Sequence, residues 1–92
     1  MTQPRACTVR IASPLRSYTG GAAKVAADGA TLGEVLADLD RRFPGIRFRM
    51  IDEQDAIRPH IRLYVDAREV KSLSEAVGAC ETVHVICALS GG

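Results

Sequence analysis

The chain has 92 residues, which is enough for one compact domain and too little for two. Hydrophobic residues make up 47% of it and charged residues 25%, a globular balance that excludes a disordered chain. The net charge of +1 supplies no overall field that would attract nucleic acid or an acidic membrane surface.

The N-terminal third of the sequence predicts a β-hairpin. Residues 7–11 alternate Val9 and Ile11 with polar neighbours, the period of a half-buried strand. Thr19-Gly20-Gly21 predicts a turn, because glycine adopts positive φ without a Cβ penalty. A second strand over residues 22–27 is expected to pair with the first.

A helix is predicted to begin after Thr31. Thr31 is a favourable N-cap, and Glu34 three residues later completes a capping box. The apolar residues that follow have the spacing of one helix face: Leu32, Val35, Leu36, Leu39 and Phe43. Asp38, Asp40 and Arg41 are expected to face solvent, and Pro44-Gly45 ends the helix.

The second half of the chain predicts three further strands. After an irregular or briefly helical crossing over residues 46–59, residues 60–66 alternate again, with Tyr64 on the polar side. A turn over 66–69 leads to a short strand at Val70, and residues 74–79 predict a single helical turn. The last strand, 81–88, is expected to point Val83, Val85 and Cys87 inward and His84 and Ile86 outward.

The predicted order is therefore β-β-α-β-β-β, an α+β fold with two layers. A helix with one apolar stripe needs a sheet face against which to bury it. We expect a β-grasp, a ubiquitin-like fold in which a mixed sheet of four or five strands holds one main helix. Residues 1–88 would form this domain, and residues 89–92 a flexible C-terminal tail.

The tail consists of Leu89, Ser90, Gly91 and Gly92. Two glycines lose much conformational entropy on ordering, so we expect them to be free and extended. A chain without Cβ atoms can enter a narrow channel, and its α-carboxylate is exposed.

A β-grasp pattern that ends in Gly-Gly resembles the ubiquitin-like sulfur carriers of the MoaD/ThiS family. The resemblance covers the whole chain, through TLGEVLADLDRRFPG, HIRLYVDAREV and the final ETVHVICALSGG. Near the N-terminus, SPLRSYTGG is most similar to the CysO-type carriers of cysteine biosynthesis.

The resemblance implies a protein co-substrate rather than an enzyme. An E1-like enzyme would use ATP to adenylate the carboxylate of Gly92, and a sulfur source would convert the adenylate to a thiocarboxylate. The chain itself would bind no cofactor. In the CysO-like case the sulfur would attack an aminoacrylate, made from O-phosphoserine on a pyridoxal-phosphate cysteine synthase, and a metal-dependent peptidase would release cysteine. In the alternatives, the sulfur would go to the large subunit of molybdopterin synthase or to thiamin synthesis.

The same resemblance assigns roles to residues near the tail. Gly92 would carry the sulfur, Gly91 would keep the tail thin, and Leu89 and Ser90 would lie in the partner's entrance. Ile86 and Tyr64, on the outward face, would form an apolar docking surface. Ordinary burial at a sheet edge is the alternative for these two.

Three cysteines, Cys7, Cys80 and Cys87, could serve as persulfide carriers in such a family. A reactive thiol needs a positive neighbour or a helix N-terminus, and these positions fit small structural residues better. A metal site is not expected, because His84 and Cys87 lie on opposite strand faces and His60 has no partner.

A basic cluster of Arg41, Arg42, Arg47 and Arg49 could indicate nucleic-acid binding. Asp38, Asp40, Asp52 and Glu53 lie among these arginines, and aromatic platforms are missing. A solvated face, or a patch that steers an acidic partner, fits this composition better.

The sequence also leads to expectations about the cellular location of the protein and about alternative functions. Apolar runs are too short to cross a bilayer, and the first ten residues lack a signal peptide's apolar core, so we expect a cytoplasmic protein without membrane contact. Besides a sulfur carrier, the pattern permits a ubiquitin-like modifier joined to lysine, or an interaction module with a disordered tail. It leaves the oligomeric state open.

Overall fold

The structure is a computed structural model that describes residues 6–78 and 81–87. Within these ranges the elements in chain order are β1 (Ala6–Arg10), a 3₁₀ helix (Ser13–Thr19), β2 (Lys24–Asp28), α1 (Leu32–Arg42), α2 (Ile46–Met50), β3 (Ile61–Val65), β4 (Arg68–Val70) and β5 (Thr82–Cys87). The predicted strands are present with slightly shifted ends, whereas the 3₁₀ helix was not predicted. In the described ranges, no helix has the length and apolar character needed to cross a membrane.

The five strands form one mixed sheet in the order β2-β1-β5-β3-β4. The first and last strands, β1 and β5, are parallel neighbours, and the other neighbouring pairs are antiparallel. The helices between β2 and β3 cover one face of this sheet. This is the β-grasp arrangement, so the predicted fold class is confirmed.

The apolar stripe of α1 is buried as predicted. The side chains of Leu32, Val35, Leu36 and Leu39 are fully inaccessible to solvent. They join the inward-facing strand residues in a single core, to which the short helix α2 adds Ile46 and Met50. Burying a side chain of this size contributes about 1.5–3 kcal/mol, so this stripe fixes α1 on the sheet.

The capping of α1 follows the sequence signal with one change. The Thr31 hydroxyl accepts a hydrogen bond from the Glu34 backbone N–H at 3.2 Å, as an N-cap should. The Glu34 carboxylate accepts from the N–H of Ala30 at 2.8 Å, one residue before the cap, rather than from Thr31 itself. Both interactions satisfy backbone donors near the start of the helix.

The helical turn predicted for residues 74–79 is wrong over the part that the structure describes, 74–78. Ala76 forms an isolated β-bridge with Thr31, and the Val77 N–H donates to the Ala30 carbonyl at 2.9 Å. The carbonyls of Leu73 and Glu75 accept from the Gly33 and Leu32 N–H groups. The segment therefore makes a turn in which the Glu75 N–H donates to the Ser72 carbonyl at 3.2 Å, and it is held against the start of α1 because it supplies acceptors that the helix lacks.

Asp38 was predicted to face solvent, and this prediction is wrong. Its side chain is 12% exposed, and its carboxylate accepts a hydrogen bond from the Asp28 backbone N–H at 2.9 Å. Arg41 and Arg42 pair with the same carboxylate from the following turn of α1. These bonds, the one from Asp28 foremost, lower the pKa of Asp38 to about 2. Asp38 thus ties α1 to the end of β2.

We expect Asp38→Asn to destabilise the domain by at most about 2 kcal/mol near neutral pH, an upper value because solvent screens the two arginines. The folded-state pKa is depressed, so the stabilisation is present above pH 4 and is lost as pH falls from about 4 towards 2. Urea denaturation of both proteins across this range measures the effect. Asp55→Asn, which removes an exposed pair with Arg47, is the control and should cost well under 1 kcal/mol. An equal loss in the control, or a loss independent of pH, would contradict the prediction.

Candidate functional site

The predicted tail begins just beyond the central strand of the sheet. β5 lies between β1 and β3, and its last residue, Cys87, pairs with Ile61 at the start of β3. The tail residues of the predicted site, Leu89, Ser90, Gly91 and Gly92, lie outside the described residues. The structure therefore defines the surface around the end of β5.

The outer face of the sheet, which we define by Arg62, Tyr64, His84 and Ile86, is turned away from α1. Arg62 is the register partner of Ile86, and Tyr64 that of His84, so these four residues share one face. Ile86 is 45% exposed and Tyr64 is half-buried. The structure brings the two predicted docking residues together near the end of β5, and their role in docking stays a prediction.

A groove of about 390 Å³ lies beside the end of β5. The pairing of β1 with β5 ends at Arg10 and His84, and beyond this point the 3₁₀ helix takes the place of β1. The buried side chain of Leu15 anchors that helix, and Arg16 Nε donates to the Ile11 carbonyl at 3.0 Å. The helix and β5 thus form the two walls of the groove.

The groove carries positive charge next to apolar surface. The residues that line it include Arg10, Arg16, His84, Ile86 and Cys87, and no acidic residue is among them. Sequence reasoning missed this groove, because it recognised the Thr19-Gly20-Gly21 turn but not the 3₁₀ helix before it. Gly20 and Gly21 do adopt positive φ, at 65° and 90°, as the turn requires. The proline at position 14 was the available signal for a helical start.

The two described cysteines are in surroundings that favour the protonated thiol. Cys7 is buried, and burial raises the pKa of its thiol, with smaller contributions from nearby carboxylates. Cys87 is half-buried and packs against the core on the inward face, as predicted, and burial raises the pKa of its thiol also. Because the thiolate is the reactive form, the structural interpretation of both residues is favoured. Cys80 lies outside the described residues.

The described ranges contain no group of three His, Cys, Asp or Glu side chains that could hold a metal ion. His84 belongs to the outer face, whereas His60 precedes β3. The metal-ligating residue types are therefore dispersed across the described surface.

The predicted basic cluster is largely compensated by acidic neighbours. Arg41 and Arg42 pair with Asp38, and Arg42 also reaches Asp28 at 3.5 Å. Arg47 pairs with Asp55 at 3.0 Å. These contacts agree with the interpretation of a solvated, ion-paired face.

Comparison with known proteins gives a consistent result over nearly the whole chain. A family model described as the ThiS family matches residues 9–92. The sulfur carrier protein CysO of Mycobacterium tuberculosis is 34% identical over 90 residues, which cover 92% of this chain and 97% of the relative.

Two crystal structures share both the fold and a similar level of identity. The first, of an Amycolatopsis orientalis BexX/CysO complex, contains a chain that is 34% identical with a TM-score of 0.87, and the match covers 94% of this chain and 99% of that one. The second, of Mycobacterium tuberculosis CysO, is 32% identical with a TM-score of 0.84 over 90% of this chain and 99% of that one.

Proposed function

The chain belongs to the ThiS family, and on that premise we propose that it is a sulfur carrier for cysteine biosynthesis, activated at the carboxylate of Gly92. The observation that carries this proposal is the extent of the match. The family model runs through residue 92, and a curated sulfur carrier of almost the same length is 34% identical. The relatives are named carriers rather than enzymes, so this protein too is a carrier on which other proteins act.

The proposed activation takes place in a partner enzyme that uses ATP. The Gly92 carboxylate attacks the α-phosphorus of ATP, pyrophosphate leaves, and a mixed anhydride with AMP is formed. A sulfide ion then attacks the acyl carbon, and AMP departs as the leaving group. Where the donor is a cysteine persulfide of the partner, the acyl disulfide that forms first is cleaved by a second partner thiol, which becomes joined to the donor cysteine in a disulfide. The product is a thiocarboxylate, whose ionised sulfur is a soft nucleophile. ATP and the sulfur source thus belong to the partner, and the carrier binds no cofactor.

The acceptor we propose is an aminoacrylate that a pyridoxal-phosphate cysteine synthase forms from O-phosphoserine. The sulfur of the carrier adds to it, an acyl shift from sulfur to nitrogen follows, and a metal-dependent peptidase releases cysteine. The names of the relatives support this choice over molybdopterin or thiamin synthesis. We place these reactions in the cytoplasm.

The described surface supports a role in docking at the end of β5. Ile86, exposed and adjacent to the strand end, gives a partner an apolar contact, and Tyr64 extends it along the outer face. Leu89 and Ser90 would pass from there into the partner's entrance, and Gly91 would fit its narrowest part. The report of a CysO chain in complex with BexX supports recognition by a partner protein.

Intact mass spectrometry tests this proposal on the unmodified chain. The protein is incubated with a candidate E1-like enzyme, ATP and sulfide, with ATP omitted in the control. We expect the mass gain of sulfur replacing one oxygen, located in the C-terminal peptide and dependent on ATP. An unchanged mass with every activating enzyme tested, and no pyrophosphate released, would contradict the proposal. Lysine-linked conjugates in place of the thiocarboxylate would indicate a protein modifier.

A further inference from the structure

Phe48 is the second large apolar side chain exposed on the described surface. It is 53% exposed and projects from α2, whose other side buries Ile46 and Met50 in the core. The Arg58 guanidinium carbon lies 4.5 Å from the centre of the Phe48 ring. Together with Arg49 and His60 these residues line a cavity of about 210 Å³, and we name this group the Phe48–Arg58 cluster.

Arg58 is held in place by three contacts. Its backbone N–H donates to the Met50 carbonyl at 2.9 Å, and its Nε donates to the Phe48 carbonyl at 2.7 Å. The stacking on the Phe48 ring is the third contact. An exposed arginine otherwise loses rotamer entropy when it forms a defined contact, and much of that loss has already occurred here.

The guanidinium of Arg58 forms no ion pair among residues 6–78 and 81–87. Asp52 is the carboxylate that feels its charge: the backbone N–H groups of Ala56 and Gln54 lower the pKa of Asp52, and Arg58 adds a smaller contribution. The ion pairs of this part of the chain use Arg41, Arg42, Arg47 and Arg62 instead. Arg49 is likewise without a carboxylate there, and the cavity has no acidic lining residue. A fixed guanidinium with free Nη donors matches the geometry of a carboxylate, which it binds in bidentate fashion.

The Phe48–Arg58 cluster lies at the end of the sheet where β5 ends. His60 directly precedes Ile61, and Ile61 pairs with Cys87, the last residue of β5. An enzyme that encloses the tail must therefore cover this end of the domain. It must also distinguish this carrier from other Gly-Gly chains before it consumes ATP, and charge complementarity provides such discrimination.

We propose that the Phe48–Arg58 cluster binds an acidic segment at the rim of the activating enzyme's site. A carboxylate of that segment pairs with the Arg58 guanidinium, and an apolar side chain beside it packs on Phe48. The inference rests on the proposed function, because the tail is what brings the rim of the enzyme to this surface. It adds a contact that is separate from the outer face.

Steady-state kinetics of ATP-dependent pyrophosphate release, with the carrier as varied substrate, test the proposal. For Arg58→Gln we expect the KM for the carrier to rise about 10-fold with kcat nearly unchanged, since a charge-assisted pair contributes to binding. The KM of the variant should also depend less on salt concentration. Arg58→Lys, which keeps the charge without the fork, should be intermediate, and Phe48→Leu should raise KM less than Arg58→Gln.

Arg68→Gln is the matched control. Arg68 also donates to a backbone carbonyl, that of Ala76 at 3.2 Å, and it lies opposite Val65 at the other end of β3. We expect its KM to equal that of the wild type. Thermal unfolding of each variant shows whether it is folded. If Arg58→Gln does not fold, the KM values of Arg58→Lys and Phe48→Leu test the inference instead.

The outcomes separate this inference from the proposed function. If the wild-type carrier is activated and the Arg58 and Phe48 variants keep its KM, the Phe48–Arg58 cluster is not a docking site, while the carrier function stands. An equal rise of KM in Arg68→Gln would show that any loss of positive charge from the carrier weakens binding, and it would also overturn the inference. If the wild-type chain itself is not adenylated, both proposals fail.

Discussion

Deletion of Gly92 is expected to reduce adenylation by at least about 10²-fold. The deletion moves the terminal carboxylate back by about 3.5 Å, the length of one extended residue. A misplacement of about 1 Å at a reacting group can already cost about 10²-fold in rate. Pyrophosphate release and intact mass, measured with the same activating enzyme and ATP, report the loss of both the adenylate and the thiocarboxylate.

Substitutions at Gly91 provide a graded control for the deletion. Gly91→Ala adds one methyl group and Gly91→Trp adds a ring, while both keep the length of the tail. If the tail enters a narrow channel, activity should fall in the order Gly, Ala, Trp. The buried core of the described residues is formed by side chains of the sheet and the helices. The unfolding temperature should therefore be unchanged in the Gly92 deletion, Gly91→Ala and Gly91→Trp. A deletion variant that is activated at the wild-type rate would exclude Gly92 as the reacting residue.

Ile86→Asp is expected to raise the KM for the carrier by about 10- to 100-fold in the activation reaction. Ile86 is 45% exposed and adjoins the end of β5, so an enzyme that takes the tail would bury it. Truncation or replacement of a central apolar contact costs about 2 kcal/mol or more, and an unpaired charge in a desolvated interface adds to the loss. The turnover number should change little, because the reacting group is untouched.

The fold should tolerate this substitution. Arg62 lies directly opposite Ile86 in the sheet, so an aspartate at position 86 gains an oppositely charged cross-strand neighbour. Ile86→Leu, which keeps the apolar surface, is the matched control and should behave like the wild type. If Ile86→Asp leaves KM unchanged, the outer face is not the docking surface, and ordinary burial at a sheet edge describes Ile86 and Tyr64 instead.

The predictions that succeeded depend on local periodicity. The stripe from Leu32 to Leu39 and the alternation of Val83 and Val85 are each set by neighbours within two turns of helix or one strand. The inward faces predicted from these patterns are buried in the structure. Such patterns, combined with the order of the elements, were sufficient to predict the β-grasp.

The failures involve partners that are distant in the chain. Asp38 looked like a surface residue of α1, and only the approach of β2 gives its carboxylate the backbone N–H of Asp28. Residues 74–78 form no helical turn because this segment lies against the start of α1, whose N–H groups donate to the carbonyls of Leu73 and Glu75. No local pattern contains these contacts.

The candidate site divides along the same line. The sequence by itself determined the outward positions of Ile86 and Tyr64 and the resemblance to sulfur carriers, since each is a property of residue type and local spacing. The Gly91-Gly92 tail stays a prediction from the sequence. Only the tertiary structure decided what surrounds the end of β5, where the 3₁₀ helix forms the groove and Arg58 is fixed over Phe48. The physical reason is that sheet register brings together residues far apart in sequence, such as Ile61 and Cys87.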